Sequence, residues 1–326
     1  PPPPPPPYLM IPRPPRSTPK THRRQRQMCI RDRCRANGFY LDATLGSGGH
    51  ALKILKDNPE IKGLIALDCD QNTIEQAQSR LAPFSHKTFI FRDNFINIKT
   101  IIKQAGVKEV DGILIDLGVS SRQLEDGNRG FSFNLRGPLD MRMDRNQSMT
   151  AFDIVNKTPA PQLEQILRDY GEEHYAARIT RKLVMQRTKE PITDTLQLSK
   201  LITASIPPSR RPRRIHPATK SFQALRIAVN RELDNLVTVI EEAVNLLSHK
   251  GRLCIISFHS LEDRIVKHTL RKIARGPIQP PDMYTTGNTQ AGTIRIITKK
   301  PIVPQREETQ TNTRARSAKL RVAEKL

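Results

Sequence analysis

Glycines and an acidic residue in the first part of the chain have the spacing of a nucleotide-type cofactor site. Gly46 and Gly48 follow the apolar run at 39–41, and a helix-like pattern restarts at Ala51. Strand, glycine turn and helix in this order bring the backbone close to a ligand that a side chain would hold away. Asp68 ends a second apolar run about 20 residues after Gly46, which is the spacing at which an acid binds ribose hydroxyls.

Two further carboxylates bear on the choice of cofactor. Asp42 directly precedes the glycine turn, where it would repel a pyrophosphate but attract the ammonium or sulfonium of S-adenosylmethionine. Asp116 ends the apolar run at 113–115, and open α/β sheets bind ligands at the carboxyl ends of their strands. Although the glycines also match a dinucleotide fingerprint, the acids favour a methyl donor over NAD.

The elements around these residues alternate between apolar strands and amphipathic helices, which predicts an α/β fold with a mainly parallel, twisted sheet. Strands are predicted at 39–41, 64–67, 89–91, 111–117, 253–256 and 293–298, and helices of the sheet layer at 71–81, 96–104, 222–247 and 260–273, the last with Ser260 as its N-cap. Right-handed crossovers place the loops that carry Gly48, Asp68 and Asp116 on one edge of the sheet, together with the loop from Asp93 to Phe95. These loops are therefore expected to form one site.

The interval between the strands at 111–117 and 253–256 is far longer than a crossover requires, so we expect an inserted domain. Helical patterns within it, at 162–168, 175–186 and 196–205, make it mainly α-helical. The predicted divisions are the core at 38–124, the insertion at 125–221, the core again at 222–300 and a basic flexible tail at 301–326. Residues 1–37 begin with seven prolines and carry nine Lys or Arg, which predicts a disordered segment or one foreign to the natural protein.

The composition points to a polyanionic partner. The chain has 54 Lys and Arg against 32 Asp and Glu, a formal charge of +22 at pH 7. RNA, DNA and an anionic membrane surface all remain open as partners, although the basic residues form no amphipathic membrane helix. No apolar run approaches the ~20 residues that cross a bilayer, so no membrane partner is expected. The four cysteines lack paired metal-ligand spacing, which indicates reduced thiols in the cytoplasm and no metal site.

A basic cluster within the insertion is the candidate RNA contact. Its members are Arg210, Arg211, Arg213, Arg214 and the nearby Lys220. Arginines broken by a proline suit phosphate contacts, although a solvated loop is the alternative. Two histidines are left open: His216, beside the cluster, either contacts RNA or packs within its loop, and His259 either faces the target base or makes only loop hydrogen bonds.

Long motifs in order resemble the bacterial small-subunit ribosomal RNA cytosine-N4 methyltransferase family over roughly residues 38 to 300. They include YLDATLGSGGH, DGILIDLGVSSRQLEDGNRGFSF, RIHPATKSFQALRIAVNREL and GRLCIISFHSLEDRIVK. The resemblance implies a class I S-adenosylmethionine-dependent methyltransferase core with an inserted helical domain, acting on a cytidine of the decoding centre. Motif by motif, it implies cofactor contacts at Gly48, Gly49, His50, Asp68, Phe95, Asp116 and Gln123.

An exocyclic base amine is a weak nucleophile because its lone pair is delocalised into the ring, so it needs acceptors for its N–H groups. Enzymes that methylate such amines in DNA commonly place Asn/Asp-Pro-Pro-aromatic after the fourth strand, where this chain has Asp116-Leu117-Gly118-Val119. Either Asp116 accepts from the amine or it only binds cofactor, and both interpretations stay open. The competing hypotheses are an NAD-dependent oxidoreductase and a non-catalytic RNA-binding factor for ribosome assembly.

Overall fold

One seven-stranded sheet organises the chain in the computed structural model, which describes residues 34–276 and 292–326 apart from Arg214. The strands are β1 (Phe39–Asp42), β2 (Gly63–Asp68), β3 (Thr88–Arg92), β4 (Val110–Asp116), β5 (Leu247–Ser257), β6 (Ile294–Ile296) and β7 (Lys319–Lys325). Their order is β3-β2-β1-β4-β5-β7-β6, and β7 runs antiparallel to both of its neighbours while the other pairs are parallel. The predicted mainly parallel α/β sheet is confirmed.

The helices divide between the sheet and an inserted domain. Those of the sheet layer are α1 (Gly49–Asp57), α2 (Gln71–Leu81), α3 (Ile98–Gln104), α10 (Leu236–Leu246) and α11 (Ser260–Arg275). Those between β4 and α10 are α4 (Ser121–Glu125), α5 (Ala151–Lys157), α6 (Ala160–Gly171), α7 (Ala176–Arg187), α8 (Thr195–Ser205) and α9 (Thr219–Asn230), and α12 (Arg306–Thr311) precedes β7.

Both faces of the sheet are buried, which explains why its central strands are apolar at consecutive positions. Along β2, Ile65 and Leu67 belong to the hydrophobic core that contains residues of α3, α10 and α11. The alternate residues Leu64 and Ala66 belong to the core on the opposite face, with residues of α1 and α2. Because successive side chains of a strand point to opposite faces, helices cover the sheet on both sides.

The inserted helices have a hydrophobic core of their own, which runs from Phe131 to Val229. The predicted boundary at 221/222 is wrong, because Phe222 and Leu225 of α9 are buried in this core. Helix α9 therefore belongs to the insertion. The predicted single helix over 222–247 is also wrong: α9 ends where Arg231 adopts a left-handed backbone with φ 51°, and α10 begins at Leu236.

The predicted flexible tail is wrong for the end of the chain, because β7 lies inside the sheet between β5 and β6. Val322 and Ala323 are fully buried. The charges that made this segment resemble a solvated tail are paired: Arg321 donates two hydrogen bonds to Asp263 on α11, and Glu324 accepts from Arg252 on β5.

Two further predictions concern the start of the chain and the start of α11. The prediction for 1–37 lies almost wholly outside the described residues. Residues 34–37 of that segment are described, and Arg35 pairs with Asp111. The predicted cap Ser260 is wrong, since His259 is the N-cap of α11 and forms a reciprocal capping box with Glu262. Among the described helices, none is long and apolar enough to cross a membrane.

We expect Arg321→Met to lower the free energy of unfolding by about 3 kcal/mol at neutral pH, because it leaves the buried carboxylate of Asp263 without its main partner. Burial acts to raise the pKa of Asp263, but Arg321 and Lys319 together hold the pKa below its usual value. A lowered carboxyl pKa stabilises the fold above the unfolded pKa and loses that effect as the pH falls through the folded pKa. The deficit of the variant should therefore shrink below about pH 4.

Urea titrations of the wild type and the variant at pH 7 and pH 3.5 measure this difference. The exposed Arg316 provides the control, because Arg316→Met removes the same charge from a solvated side chain. Equal losses of stability in the two variants would contradict the assigned role of the buried pair.

Candidate active site

The carboxyl ends of β1, β2 and β4 meet at one edge of the sheet, and each of these strands ends in an aspartate, namely Asp42, Asp68 and Asp116. A cavity of about 340 Å³ opens there. Of the residues predicted for the cofactor site, Asp68, Phe95, Asp116 and Gln123 line it, together with Gly46. The loops that the crossovers were expected to gather therefore share one cavity.

The glycine turn after β1 is held by Asp68. One carboxylate oxygen of Asp68 accepts the N–H of Gly46 and the other accepts the N–H of Asp70, both at 2.9 Å. Gly46 and Gly48 have φ of 51° and 76°, values that favour glycine. A Cβ on Gly48 would also lie 3.3 Å from the Cβ of Ala77 on α2. Gly49 and His50 then begin α1. Gly48, Gly49 and His50 do not line the cavity.

Asp116 carries an unsatisfied polar atom at the cavity. Its backbone N–H donates to the hydroxyl of Thr44 at 2.6 Å, which ties the end of β4 to the turn after β1. Its Oδ2 lies 3.5 Å from Nε2 of His50, whereas its buried Oδ1 has no hydrogen-bond partner among the described residues. A buried acceptor without a partner is costly unless a ligand donates to it.

Asp42 lies behind the cavity rather than in its wall. Its side chain is fully buried, one oxygen accepts from Thr44, and the other has no hydrogen-bond partner among the described residues. Burial raises the pKa of Asp42 to about 6; His50 opposes this rise, and the charges of Asp116 and Asp68 add to it. Asp42 is absent from the cavity lining, so the structure does not show it facing a ligand there.

A buried cluster that the sequence analysis missed supports Gln123. The side-chain amide of Gln123 donates to Asp70 at 3.1 Å, and the guanidinium of Arg129 donates to the same carboxylate oxygen. Arg129 also donates to the backbone carbonyls of Arg142 and Met143. Burial acts to raise the pKa of Asp70, but hydrogen bonds from Arg129 and Gln123 hold it below its usual value. The motif DGNRGFSF could have indicated this cluster, because it places an arginine between glycines.

The insertion supplies the far wall of the cavity through two further residues that the sequence analysis missed. Asn230, the last residue of α9, accepts the N–H of Met143 at 2.7 Å and donates to the carbonyl of Met141 at 2.8 Å. Glu232 lines the cavity and accepts two hydrogen bonds of 2.9 Å from Arg226. These hydrogen bonds fix the end of α9 to the rest of the insertion and hold Glu232 at the cavity.

The two histidines whose roles the sequence left undecided both make contacts within the protein. The ring of His216 stacks on Phe133 with centroids 4.6 Å apart, and its Nδ1 accepts the N–H of Ala218. Nδ1 of His259 accepts the N–H of Glu262. Glu262 in turn accepts the backbone N–H of Phe258 at 2.8 Å, and Phe258 is the residue of this loop that lines the cavity.

The basic cluster of the insertion does not line the cavity. Arg210 and Arg213 are exposed, Arg211 donates to the carbonyl of Ile206 at 3.2 Å, and Lys220 donates to the carbonyl of Glu172 at 2.8 Å. Arg214 lies outside the described residues.

The cavity is acidic and lacks a reactive thiol. Its charged lining consists of one basic residue, Arg231, and the acidic residues Asp68, Asp93, Asp116, Asp144 and Glu232. Burial raises the pKa of the Cys69 thiol to about 12, so Cys69 is no nucleophile at neutral pH. A cationic or amine-bearing ligand suits such a cavity, whereas a pyrophosphate does not.

The sheet order, the glycine turn after β1 and the acids that end β2 and β4 define a class I S-adenosylmethionine-dependent methyltransferase. The cavity suits this cofactor: it offers a carboxylate in Asp68, an aromatic wall in Phe95 and an unsatisfied acceptor in Asp116. The model of the MraW methylase family matches residues 25–326, and the chain belongs to this family. Because the match begins at residue 25, part of the segment that we predicted to be disordered or foreign aligns with the family.

The sequences of curated relatives match this chain over nearly their whole length. The protein named ribosomal RNA small subunit methyltransferase H from Halothermothrix orenii is 48% identical over 90% of this chain and 94% of its own. Proteins of the same name from Brevibacillus brevis and Syntrophus aciditrophicus are 45% and 42% identical over 90% of this chain and 93% of their own. The solved structure of an rRNA methylase from Streptococcus thermophilus is a distant neighbour, with 11% identity and a TM-score of 0.40 over 94% of this chain and 95% of that one.

We expect Asp42→Asn to stabilise the protein above pH 6 by about 3 kcal/mol, since it removes a buried charge. A carboxyl whose folded pKa is raised contributes stability below its unfolded pKa, and that contribution is lost as the pH rises through the folded pKa, here about 6. The variant should therefore be more stable than the wild type at pH 8 and equal to it near pH 4.

Denaturant titrations across this pH range, without added cofactor, measure the difference. The exposed Asp57 on α1, which pairs with Lys53, supplies the control Asp57→Asn. A stability gain of Asp42→Asn that does not change with pH would show that folding does not raise the pKa of Asp42.

Proposed function

We propose that this chain transfers a methyl group from S-adenosylmethionine to the exocyclic N4 amine of a cytidine in the decoding region of small-subunit ribosomal RNA. Relatives at 42–48% identity are named ribosomal RNA small subunit methyltransferase H, which supports small-subunit ribosomal RNA as the substrate. The observation that carries the chemistry is the buried, unpartnered Oδ1 of Asp116 at the carboxyl end of β4. Ribosomal subunits as the partner make the cytoplasm the expected location.

Seven residues are proposed to hold the cofactor, which when bound supplies a methyl group on a positively charged sulfur. They are Gly48, Gly49, His50, Asp68, Phe95, Asp116 and Gln123. Asp68 would bind the two ribose hydroxyls through the lone pairs that Gly46 and Asp70 leave available. Phe95 would form a wall against the adenine. Gln123 is held at the cavity by Asp70 and by its capping box with Ser120.

Asp116 is proposed to act on the amine of the target base. A carboxylate oxygen that accepts one N–H localises the nitrogen lone pair, and the same oxygen is placed to take the proton that the amine loses. The backbone after Asp116 turns through Gly118, whose φ of 98° favours glycine. A Cβ at Gly118 would lie 3.7 Å from the ring of Phe258, and Leu117 and Gly118 line the cavity, so the backbone carbonyls of this turn are near it. These carbonyls are candidates for the second acceptor.

The cluster of Arg210, Arg211, Arg213, Arg214 and Lys220 is proposed to contact RNA phosphates. The exposure of Arg210 and Arg213 supports this role, and the carbonyl contact of Arg211 orients its guanidinium. Membership of a methylase family argues against an NAD-dependent oxidoreductase. A non-catalytic assembly factor would retain the RNA contacts and is separated from an enzyme by activity alone.

Asp68→Ala should weaken binding of S-adenosylmethionine about ten- to a hundredfold, because the ribose hydroxyls would lose their acceptor. Isothermal titration calorimetry measures the change, with Asp57→Ala as a control that lies outside the cavity and should bind normally. NAD should produce no heat with either protein. Unchanged affinity in Asp68→Ala would remove Asp68 from the cofactor site.

The two possible roles of Asp116 are separated by Asp116→Asn, which keeps an acceptor oxygen but loses the charge. If Asp116 accepts from the amine, the single-turnover rate at saturating cofactor should fall by roughly 10²-fold or more. If Asp116 only binds cofactor, saturation should restore the rate. The measurement is transfer of labelled methyl to small subunits that lack the modification. A near-normal saturated rate would leave positioning as the mechanism.

A further inference from the structure

The acidity of the cavity raises the question of where the phosphates of an RNA substrate bind. Five of the six charged residues that line the cavity are acidic. Most of the affinity of a protein for a nucleic acid comes from cations that neutralise phosphates, and the cavity offers only Arg231 for this. The backbone that flanks the target nucleotide must therefore be held outside the cavity.

Helix α11 leads away from the cavity and is basic along its exposed face. It begins directly after the loop of Phe258, and the acids of its first turn, Glu262 and Asp263, are buried. Beyond Asp263 the helix contains no acidic residue. The basic residues of its solvent side are Arg264, Lys267, His268, Arg271, Lys272 and Arg275. Arg264 pairs with Glu172, and Lys272 pairs with Glu241. Since residues three, four and seven apart share one face of a helix, these side chains form a continuous stripe.

The stripe passes a second cavity of about 290 Å³, between α11 and the segment that follows β6. We call it the α11 pocket. It is lined by four cationic residues, Lys267, Arg271, Lys299 and Arg321, and by no acidic residue. Arg321 is neutralised by Asp263. The other three have no hydrogen bond or ion pair within residues 34–276 and 292–326.

Unpaired cations that converge on a pocket repel one another, and an anion that enters relieves this repulsion. In three other cavities of the described residues, acidic side chains accompany the basic ones. Lys267 and Arg271 lie about 10 Å and about 16 Å along the helix axis from Ser260, at 1.5 Å per residue. The pocket is thus close enough to the active site for one RNA strand to reach both.

We propose that the α11 pocket, formed by Lys267, Arg271 and Lys299, is a binding site for backbone phosphates of the RNA strand that flanks the target nucleotide. The inference rests on the proposed function, because it takes RNA to be the substrate. The pocket is separate from the Arg210–Arg213 cluster of the insertion and lies on the sheet domain. The two domains would then hold the strand from different sides of the active site.

The test replaces all three cations in the full-length protein, as Lys267→Gln, Arg271→Gln and Lys299→Gln together. Binding of a fluorescein-labelled RNA that contains the target cytidine is measured between 50 and 300 mM salt, on the order of physiological ionic strength. The slope of log affinity against log salt should flatten by about 2, from three contacts at about 0.7 each on single-stranded RNA. The KM for small subunits should rise about tenfold, with cofactor affinity and the saturated single-turnover rate unchanged.

A matched control removes the same charge elsewhere. Lys56, Lys103 and Lys108 are exposed, and none of them lines the cavities described above. Their triple Gln variant should keep the wild-type slope, and circular dichroism should show that both triple variants are folded. The inference would be overturned if the α11 variant had the same slope as the wild type, and the partner of the pocket would then be an acidic protein. It would also be overturned if both triple variants flattened the slope equally.

The same experiment separates this inference from the proposed function. Methylation of small subunits by the wild type tests the function by itself. If the wild type methylates them and the α11 variant matches it in slope and KM, only the phosphate site fails. If the wild type neither methylates nor binds the RNA, the proposed function fails and the phosphate site fails with it.

Discussion

The buried pair of Arg129 and Asp70 joins the sheet domain to the insertion. Asp70 caps α2 in the sheet domain, and Arg129 comes from the start of the insertion and also binds the carbonyls of Arg142 and Met143. The side chains of both residues are more than nine-tenths buried. Removing either partner would leave an unpaired buried charge, which is among the most destabilising changes a protein can undergo. The position of Gln123 at the cavity follows from this pair, since its amide donates to Asp70.

The cavity accumulates negative charge because of the way a parallel sheet is built. Parallel strands end at the same edge, so acids that end β1, β2 and β4 must lie near one another. Burial raises the pKa of both Asp42 and Asp68. The charges of Asp116 and Asp68 add to the rise at Asp42, and the charge of Asp70 adds to the rise at Asp68. Hydrogen bonds from the N–H groups of Gly46 and Asp70 oppose this effect on Asp68, so the turn that shapes the cavity also stabilises its charge.

This charge distribution separates two tasks. An acidic cavity attracts a cationic cofactor and the N–H groups of a base amine, but it repels phosphates. The positive charge of the chain lies instead outside the cavity, on the loop at Arg210–Arg213 and on the outer face of α11. A polyanionic substrate would therefore be held by its backbone on these surfaces, and only an uncharged base would enter the cavity.

Local patterns in the sequence were sufficient for the sheet and for much of the cavity. Apolar runs that end in Asp68 and Asp116 and a turn rich in glycine have direct local causes, namely burial on both faces of the sheet and positive φ at Gly46 and Gly48. The long interval between β4 and β5 predicted an inserted, mainly helical domain, and residues in this interval form a hydrophobic core of their own. These features need no knowledge of distant contacts.

Pairing between distant residues decided the rest. Strand β7 looked like a solvated tail because its charges are visible in the sequence, whereas their partners Asp263 and Arg252 lie 58 and 72 residues away. Distant contacts also decided the place of Asp42, whose burial behind the cavity depends on packing by both neighbouring strands. They decided the place of Glu232 as well, which lines the cavity just after Arg231 ends α9 with a left-handed backbone. The sequence by itself determined which strands and turns form, since these depend on neighbours along the chain. The tertiary structure alone decided which charges are buried, paired or left for a ligand, because the energy of a charge depends on everything packed around it.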